Sequence, residues 1–228
     1  MLLRHLWLPC LACAGALNAS AQSVIAADNA EPGSVEEIAK ATTEARFLSP
    51  WVSYLPASPT VPSPRAFFGR IPGAPGELVD SAKAYAYSRA LAAASPRVRV
   101  FTIGRSEEGR DIILLVIADE KGIQSLDALK AANASLADPR TVDAAGAERL
   151  IAESRPFYYF NAGLHSDETG STESVLELAY RLAVSEQPMI RRIRQNTVVL
   201  IDPVCNPDGR DKQGLEPDVL RVSPHYCA

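Results

Sequence analysis

The succession of apolar runs between Phe157 and Val204 leaves this chain few ways to fold. Phe157–Leu164 is strand-like, Thr172–Val184 has a helical pattern, Met189–Arg194 reads as a helical turn, and Thr197–Val204 is β-branched. Within the helical segment Val175, Leu178, Ala179, Leu182 and Ala183 fall at i, i+3, i+4, i+7 and i+8, which makes one apolar face. Glu173 and Glu177 lie in its first turns, where the helix dipole favours negative charge. A strand, a helix packed on it and a second strand form a crossover unit, which is right-handed in nearly every protein and makes the strands parallel. Upstream, Val98–Ile103 and Asp111–Ala118 read as strands joined by GRSEEGR, a hairpin connection. Helices are expected over Glu77–Ala94, ended by Ser95-Pro96, and over Leu126–Ala134 and Val142–Ser154. The fold class that follows is α/β, with a mixed, centrally parallel sheet and flanking helices. There is no internal repeat.

Composition narrows the partners. The 228 residues carry a net charge of -4 and a pI near 5.5. A mildly acidic balance offers no electrostatic footprint for nucleic acid or an anionic membrane surface. No segment after the N-terminus approaches the roughly 18 uninterrupted apolar residues of a membrane span. The N-terminus itself has Arg4, an apolar stretch from Leu6 to Leu17, and Ala19-Ser20-Ala21 before Gln22. That layout predicts a signal peptide over residues 1–21 and an exported chain, secreted or periplasmic. A lipoprotein anchor through Cys10 or Cys13 is the lesser alternative. Cleavage after Ala21 leaves Cys205 and Cys227, which could pair as a disulfide in an exported protein or stay as separate thiols. Structural zinc has no CxxC spacing to support it.

Residues 22–76 form an N-terminal extension, and its Leu48–Gly76 portion is dense in proline. Proline fixes φ, removes a backbone donor and pushes the preceding residue out of the helical region, so an extended segment is expected there. Two readings stay open for it. Trp51, Tyr54, Phe67 and Phe68 could pin it to a neighbouring surface as a strap, or it could be a flexible tether.

In an open α/β sheet, ligands gather outside the carboxyl ends of the strands. Two polar, glycine-containing turns fall there: GLHSDETGS after the first crossover strand and CNPDGRD after the second. Parallel strands would bring both to one rim. In the first, His165 and Glu168 stand three residues apart, a separation that puts both side chains on one side of a helical turn. Imidazole nitrogen and carboxylate oxygen both bind zinc at about 2.0–2.2 Å, and a catalytic zinc takes three protein ligands plus water. With 27 acids in 228 residues, about one His in eight has an acid at the third position by composition alone. Position at a strand end is what lifts His165 and Glu168 above that background. Asn206-Pro207-Asp208-Gly209 reads as a structural tight turn, Asp202 as structural or as a support for the site, and Gly104–Gly109 as a plain hairpin turn. The last does not have the Gly-x-Ser-x-Gly spacing of a hydrolase nucleophile, and no Walker or dinucleotide-type glycine loop occurs.

GLHSDETGSTESVLELAYRLA followed by VVLIDPVCNPDGRD resembles the zinc carboxypeptidases, the carboxypeptidase A-like metallopeptidases. The hairpin VFTIGRSEEGRDIILLVIAD resembles that family's opening hairpin, and the order of the three motifs is the family's order. The resemblance runs from about Trp51 to Arg210 and implies a partial zinc carboxypeptidase domain over residues 77–228. It implies a zinc ion held by His165, Glu168 and a later histidine, a glutamate as general base, and arginines gripping a substrate carboxylate. The implied reaction is hydrolysis of the C-terminal peptide bond of a peptide or protein.

The departures from the family pattern are specific. Asp167 stands where carboxypeptidase A has an arginine between the two ligands. Arg221 falls 15 residues after Asn206, about where the family places a carbonyl-polarising arginine. His225, 57 residues past Glu168, is the remaining histidine of the mature chain and lies next to the terminus, where residues are poorly ordered unless tied down. The expectation is a truncated domain, weakly active or inactive by itself, with the third ligand and the base beyond residue 228. The competing readings are a non-catalytic module that binds peptide or cell-wall material, and a zinc amidohydrolase of related fold acting on acyl-amino acids or peptidoglycan peptides.

Overall fold

The computed structural model describes residues 28–138 and 140–215. Four strands form one sheet: β1 (Val98–Arg105), β2 (Asp111–Ile117), β3 (Phe157–Asn161) and β4 (Val198–Asp202), in the order β1-β2-β4-β3. β1 and β2 are an antiparallel hairpin, β2 and β4 are antiparallel, and β3 and β4 are parallel. The sheet is mixed, as the sequence predicts. Its parallel component is one pair among the described residues, with β4 inside the sheet and β3 at its edge.

Alternation sorts the strand residues onto two faces. Ile113, Leu115, Ile117, Val199 and Ile201 point into the larger core, which is closed by helices α3 (Ser81–Ala94) and α7 (Gly170–Val184). Val116, Ala118 and Val198 point the other way, onto Ile123 of α4 (Glu120–Gln124) and Leu126 and Leu129 of α5 (Leu126–Ala137). Helix α6 (Ala144–Glu153) packs beside α5, and α8 (Pro188–Asn196) beside α7. Toward the carboxyl ends of β3 and β4 this second face is partly open, with Phe101 41% and Tyr159 49% exposed.

The helix ends follow capping chemistry. Helix α3 starts at Ser81, not Glu77, because the Asp80 carboxylate accepts the Lys83 N–H at 2.6 Å and satisfies a donor the helix leaves unpaired. Asp119 does the same for α4, accepting the Gly122 N–H at 2.7 Å. The five-residue α4 is too short to show an apolar period, so its cap is its only sequence signal. Helix α7 buries Val175, Leu176, Ala179, Tyr180, Leu182 and Ala183. Leu178 of the expected stripe is only partly buried. The burial is wider than one stripe because the proline-rich segment covers a second side of α7.

That segment is pinned. Leu55 is fully buried and Tyr54 nearly so, and Val61, Phe68 and Ile71 join the same core. The Tyr180 hydroxyl donates to the Pro56 carbonyl at 2.6 Å, Tyr87 donates to the Pro62 carbonyl at 3.2 Å, and the Arg181 guanidinium donates to the Tyr54 carbonyl. Partway along, the segment turns one short helix, α2 (Pro64–Phe68), whose Ser63 hydroxyl accepts the Ala66 N–H at 3.0 Å; α1 (Ser34–Ala41) precedes it. Trp51 and Phe67, two of the four aromatic residues expected to do the pinning, are more than a third exposed. Tyr54 and Phe68 do it with aliphatic neighbours.

Because Leu55 is a core residue, Leu55→Ala is expected to destabilise the protein by about 2–5 kcal/mol, the range for truncating a buried leucine. A tether residue would change stability by about 0.5 kcal/mol or less. The midpoint of urea unfolding distinguishes the two.

Candidate metal centre

The parallel register decides where the two polar turns lie. Pairing runs from Phe157 with Val198 to Asn161 with Asp202, so β3 and β4 end level and their loops leave the same rim. Both strands end earlier than their apolar runs suggest. Pro203 has no N–H to continue the ladder after β4. After β3, the chain turns at Gly163, whose φ of +68° suits glycine and few other residues. A Cβ on Gly163 would lie 3.0 Å from Thr172 Oγ1 and 3.4 Å from Val204 Cα, so it would crowd the first turn of α7 and touch the second loop.

Backbone bonds then stitch the loops together. Ala162 N–H donates to the Asp202 carbonyl at 3.0 Å, Cys205 N–H to the Ala162 carbonyl at 2.9 Å, and Asn206 N–H to the Gly163 carbonyl at 3.1 Å. The Ser171 hydroxyl accepts the Gly163 N–H at 3.0 Å and donates to the Glu168 carbonyl at 3.2 Å. Glu168 N–H closes a turn onto the His165 carbonyl at 3.2 Å. His165 and Glu168 are thereby brought together on the solvent side of the rim, with His165 Nδ1 3.0 Å from Glu168 Oε1 and both side chains 63% exposed. The carboxylate raises the His165 pKa above its ordinary 6.5, through the hydrogen bond first and its charge second. Asp167, between them, is exposed.

The donor set fits a divalent cation. An imidazole nitrogen and a carboxylate oxygen converge within contact distance and are open to solvent, and neither pairs with a Lys or Arg among the described residues. No group of three or more His, Cys, Asp or Glu forms a metal-binding cluster among the described residues. Arg221, His225 and Cys227 lie outside the described residues, as do residues 1–21 with Cys10 and Cys13. Cys205 is half-buried and makes no disulfide among the described residues; burial pushes its thiol pKa up.

Asn206-Pro207-Asp208-Gly209 is not an isolated tight turn. It opens helix α9 (Pro207–Leu215), with Asn206 as its cap accepting the Gly209 N–H at 3.0 Å and proline in the first helical position. That cap-then-proline order is a helix-start signal in the sequence. Each polar residue here reaches a different neighbour. The Asn206 side-chain amide donates to the Leu164 carbonyl at 3.1 Å. Asp208 accepts from the Ser106 hydroxyl at 2.8 Å, the Glu108 N–H at 3.0 Å and Arg110 at 2.6 Å, locking the β1–β2 hairpin loop to the rim. Arg210, which no sequence pattern singles out, and Glu173, legible only as a first-turn acid, are 2% and 3% exposed and pair at 3.1 Å beneath the turn.

Asp202 is 2% exposed, with its side chain accepting the Val204 N–H at 3.2 Å. Burial raises its pKa to about 6, against the opposing pull of the Val204 N–H and the Tyr159 hydroxyl.

Comparison with known proteins gives the chain its family. The zinc carboxypeptidase family model matches residues 84–219, more than half of the 228. The chain belongs to the zinc carboxypeptidase family. Solved structures it is similar to include the carboxypeptidase A of Helicoverpa armigera, at 19% identity and a TM-score of 0.44, covering 87% of this chain and 33% of that one. A metallo-carboxypeptidase from Burkholderia cenocepacia matches at 22% identity and a TM-score of 0.38, over 55% of this chain and 26% of that one. Bovine thrombin-activatable fibrinolysis inhibitor, solved with a tick carboxypeptidase inhibitor, matches at 14% identity and a TM-score of 0.39, over 60% and 34%. The chain therefore spans about a third or less of the length of these proteins. No curated protein matches it.

The Asp202 carboxyl makes a pH prediction. Its folded pKa of about 6 lies above the unfolded value of about 3.9. The unfolded chain therefore gives up this proton first, and stability falls as pH rises from about 4 through about 6. Asp202→Asn keeps an acceptor for Val204 and removes the titration. It should flatten that fall and, above pH 7, stabilise the protein by on the order of 1–2 kcal/mol, less than the full shift because the buried amide N–H groups of Asn must themselves be satisfied. Urea unfolding of both forms at pH 4.5 and pH 8 measures the difference.

Proposed function

We propose that the chain is the exported, N-terminal part of a zinc metallocarboxypeptidase, and that His165 and Glu168 are two protein ligands of its zinc. The reaction is hydrolysis of the C-terminal peptide bond of a peptide or protein substrate. In this reading residues 1–21 are a signal peptide, 22–76 an extension that includes the proline-rich strap, and 77–228 a partial catalytic domain that functions outside the cytoplasm. Among the described residues no helix is long and apolar enough to cross a membrane.

The observation that carries the reading is the 3.0 Å approach of His165 Nδ1 to Glu168 Oε1 on an exposed rim turn, in a chain of zinc carboxypeptidase family. Zinc bound there would polarise the scissile carbonyl and lower the pKa of its water to about 7. The chain's own residues prepare for this in three ways. His165 Nδ1 and Glu168 Oε1 already stand 3.0 Å apart, one nitrogen and one oxygen donor facing the same solvent-exposed point. The turn that carries them is fastened through backbone groups, so both donors can face solvent without loosening their loop. Their exposure leaves room for the third protein ligand and the general base that the chemistry requires; Arg221 is proposed as a carbonyl polariser.

Zinc titration of the full chain by calorimetry tests the reading. Because His165 must lose its proton to bind metal, and the Glu168 carboxylate beside it makes the imidazole hold that proton more tightly than usual, affinity should climb as pH rises from 5.5 to 8. Below the His165 pKa the climb is about tenfold per pH unit, one proton being released per metal bound. His165→Ala and Glu168→Ala should each weaken binding by at least about tenfold. Binding that neither substitution alters would remove the basis of the assignment. For the extended enzyme, peptides with free C-termini tested beside N-acyl amino acids separate carboxypeptidase from amidohydrolase chemistry.

A further inference from the structure

The turn that bears His165 and Glu168 is gripped at both ends by one face of helix α9. Asn206 and Arg210 are four residues apart, so they stand above one another on that helix. Asn206 takes the entry of the turn, its backbone N–H on the Gly163 carbonyl at 3.1 Å and its side-chain amide on the Leu164 carbonyl at 3.1 Å. Arg210 takes the exit, with Nη1 on the Thr169 carbonyl at 3.0 Å, one residue past Glu168. The other two guanidinium nitrogens are also committed: Nε donates to the Val79 carbonyl at 2.9 Å and Nη2 to Glu173 Oε1 at 3.1 Å.

Glu173 fixes that guanidinium from the first turn of α7. Its Oε1 also accepts the Val79 N–H at 2.7 Å, and its Oε2 accepts the Gly73 N–H at 3.3 Å, with Arg70 Nη2 3.7 Å away. Both members of the pair are buried, so neither swings freely, and a planar guanidinium satisfied on three sides has one orientation. We propose that Arg210 is a positioning residue for the metal turn: held by Glu173, it fixes the Thr169 carbonyl and with it the backbone that aims Glu168, and so sets zinc affinity without touching the metal. This rests on the reading of His165 and Glu168 as zinc ligands.

The test is zinc titration of the full chain and its variants, with far-ultraviolet circular dichroism and thermal midpoint recorded for each. Arg210→Lys keeps a cation opposite Glu173 but has one ammonium in place of the fork, so it cannot hold the Thr169 and Val79 carbonyls together. The expected result is a wild-type spectrum and a zinc Kd raised about tenfold, the lower end of the range for groups that orient metal ligands. Asp119→Asn is the control at the opposite end of the sheet. It breaks the 2.7 Å pair with Arg155, and should lower the thermal midpoint while moving the zinc Kd by less than about twofold. A folded Arg210→Lys with a Kd within about twofold of wild type overturns the proposal, as does equal weakening in Asp119→Asn. If Arg210→Lys does not fold, Glu173→Gln decides. It frees the guanidinium while leaving its carbonyl partners, so a Kd weakened about threefold or more supports the proposal and an unchanged one overturns it. Wild-type protein whose zinc binding is missing, or insensitive to His165→Ala and Glu168→Ala, overturns the metal reading itself, and this proposal with it.

Discussion

The level parallel pairing of β3 with β4 is the constraint from which the rest of the rim follows. Five residue pairs, from Phe157 with Val198 to Asn161 with Asp202, bring both strands to the same height. Side chains alternate along a strand, so a slip of one residue in β4 would turn Asp202 into the larger core and Ile201 out of it. The hydrophobic pattern thus protects the register, and the register places the two polar turns together. The bonds from Ala162, Cys205 and Asn206 continue the ladder past the formal ends of the strands. The loops are therefore an extension of the sheet more than an addition to it.

Charge is buried at both ends of this sheet. At the rim lie Glu173 and Arg210, with Arg70 beside them. At the opposite end Arg194 is 3% exposed and donates to the Leu182 and Ser185 carbonyls, and around it the partly exposed Arg97 bridges Glu120 and Glu186 and Arg155 bridges to Asp119. Removing such charges from water offsets much of their mutual attraction, so buried pairs are weak sources of net stability. Their directional bonds do something else. Each arginine here satisfies carbonyls at a helix end or in a loop, groups that hydrophobic packing could cover but not pair. The arginines fix the connections, and the apolar residues supply the driving force.

Sequence pattern carried the framework well where structure is periodic. The hairpin, α7 and the two crossover strands follow directly from alternation and helical spacing, and His165 and Glu168 met because their separation is short. What it missed has physical reasons. Helix α9 hides behind a motif that also spells a turn. Leu178 yielded its place to Tyr180 because the strap covers a side of α7 that a single-stripe analysis treats as solvent. Glu173 was legible as a favourable first-turn acid, but its partners Arg210, Val79 and Gly73 lie 37, 94 and 100 residues away. No local period encodes such contacts. The placement of the donor pair was written in the sequence; its fastening was not.

That fastening uses almost nothing from the residues it holds. The anchors on the turn are the carbonyls of Ala162, Gly163, Leu164, Glu168 and Thr169 and the tight approach at Gly163, and the gripping side chains belong to Ser171, Asn206 and Arg210. His165, Asp167 and Glu168 turn their side chains to solvent, with His165 and Glu168 paired to each other. The rim is built as a socket in which chemistry and mounting are separate parts. Substitution within the turn can change what it binds while leaving its seat intact, whereas a change at Asn206 or Arg210 disturbs the seat under any occupant.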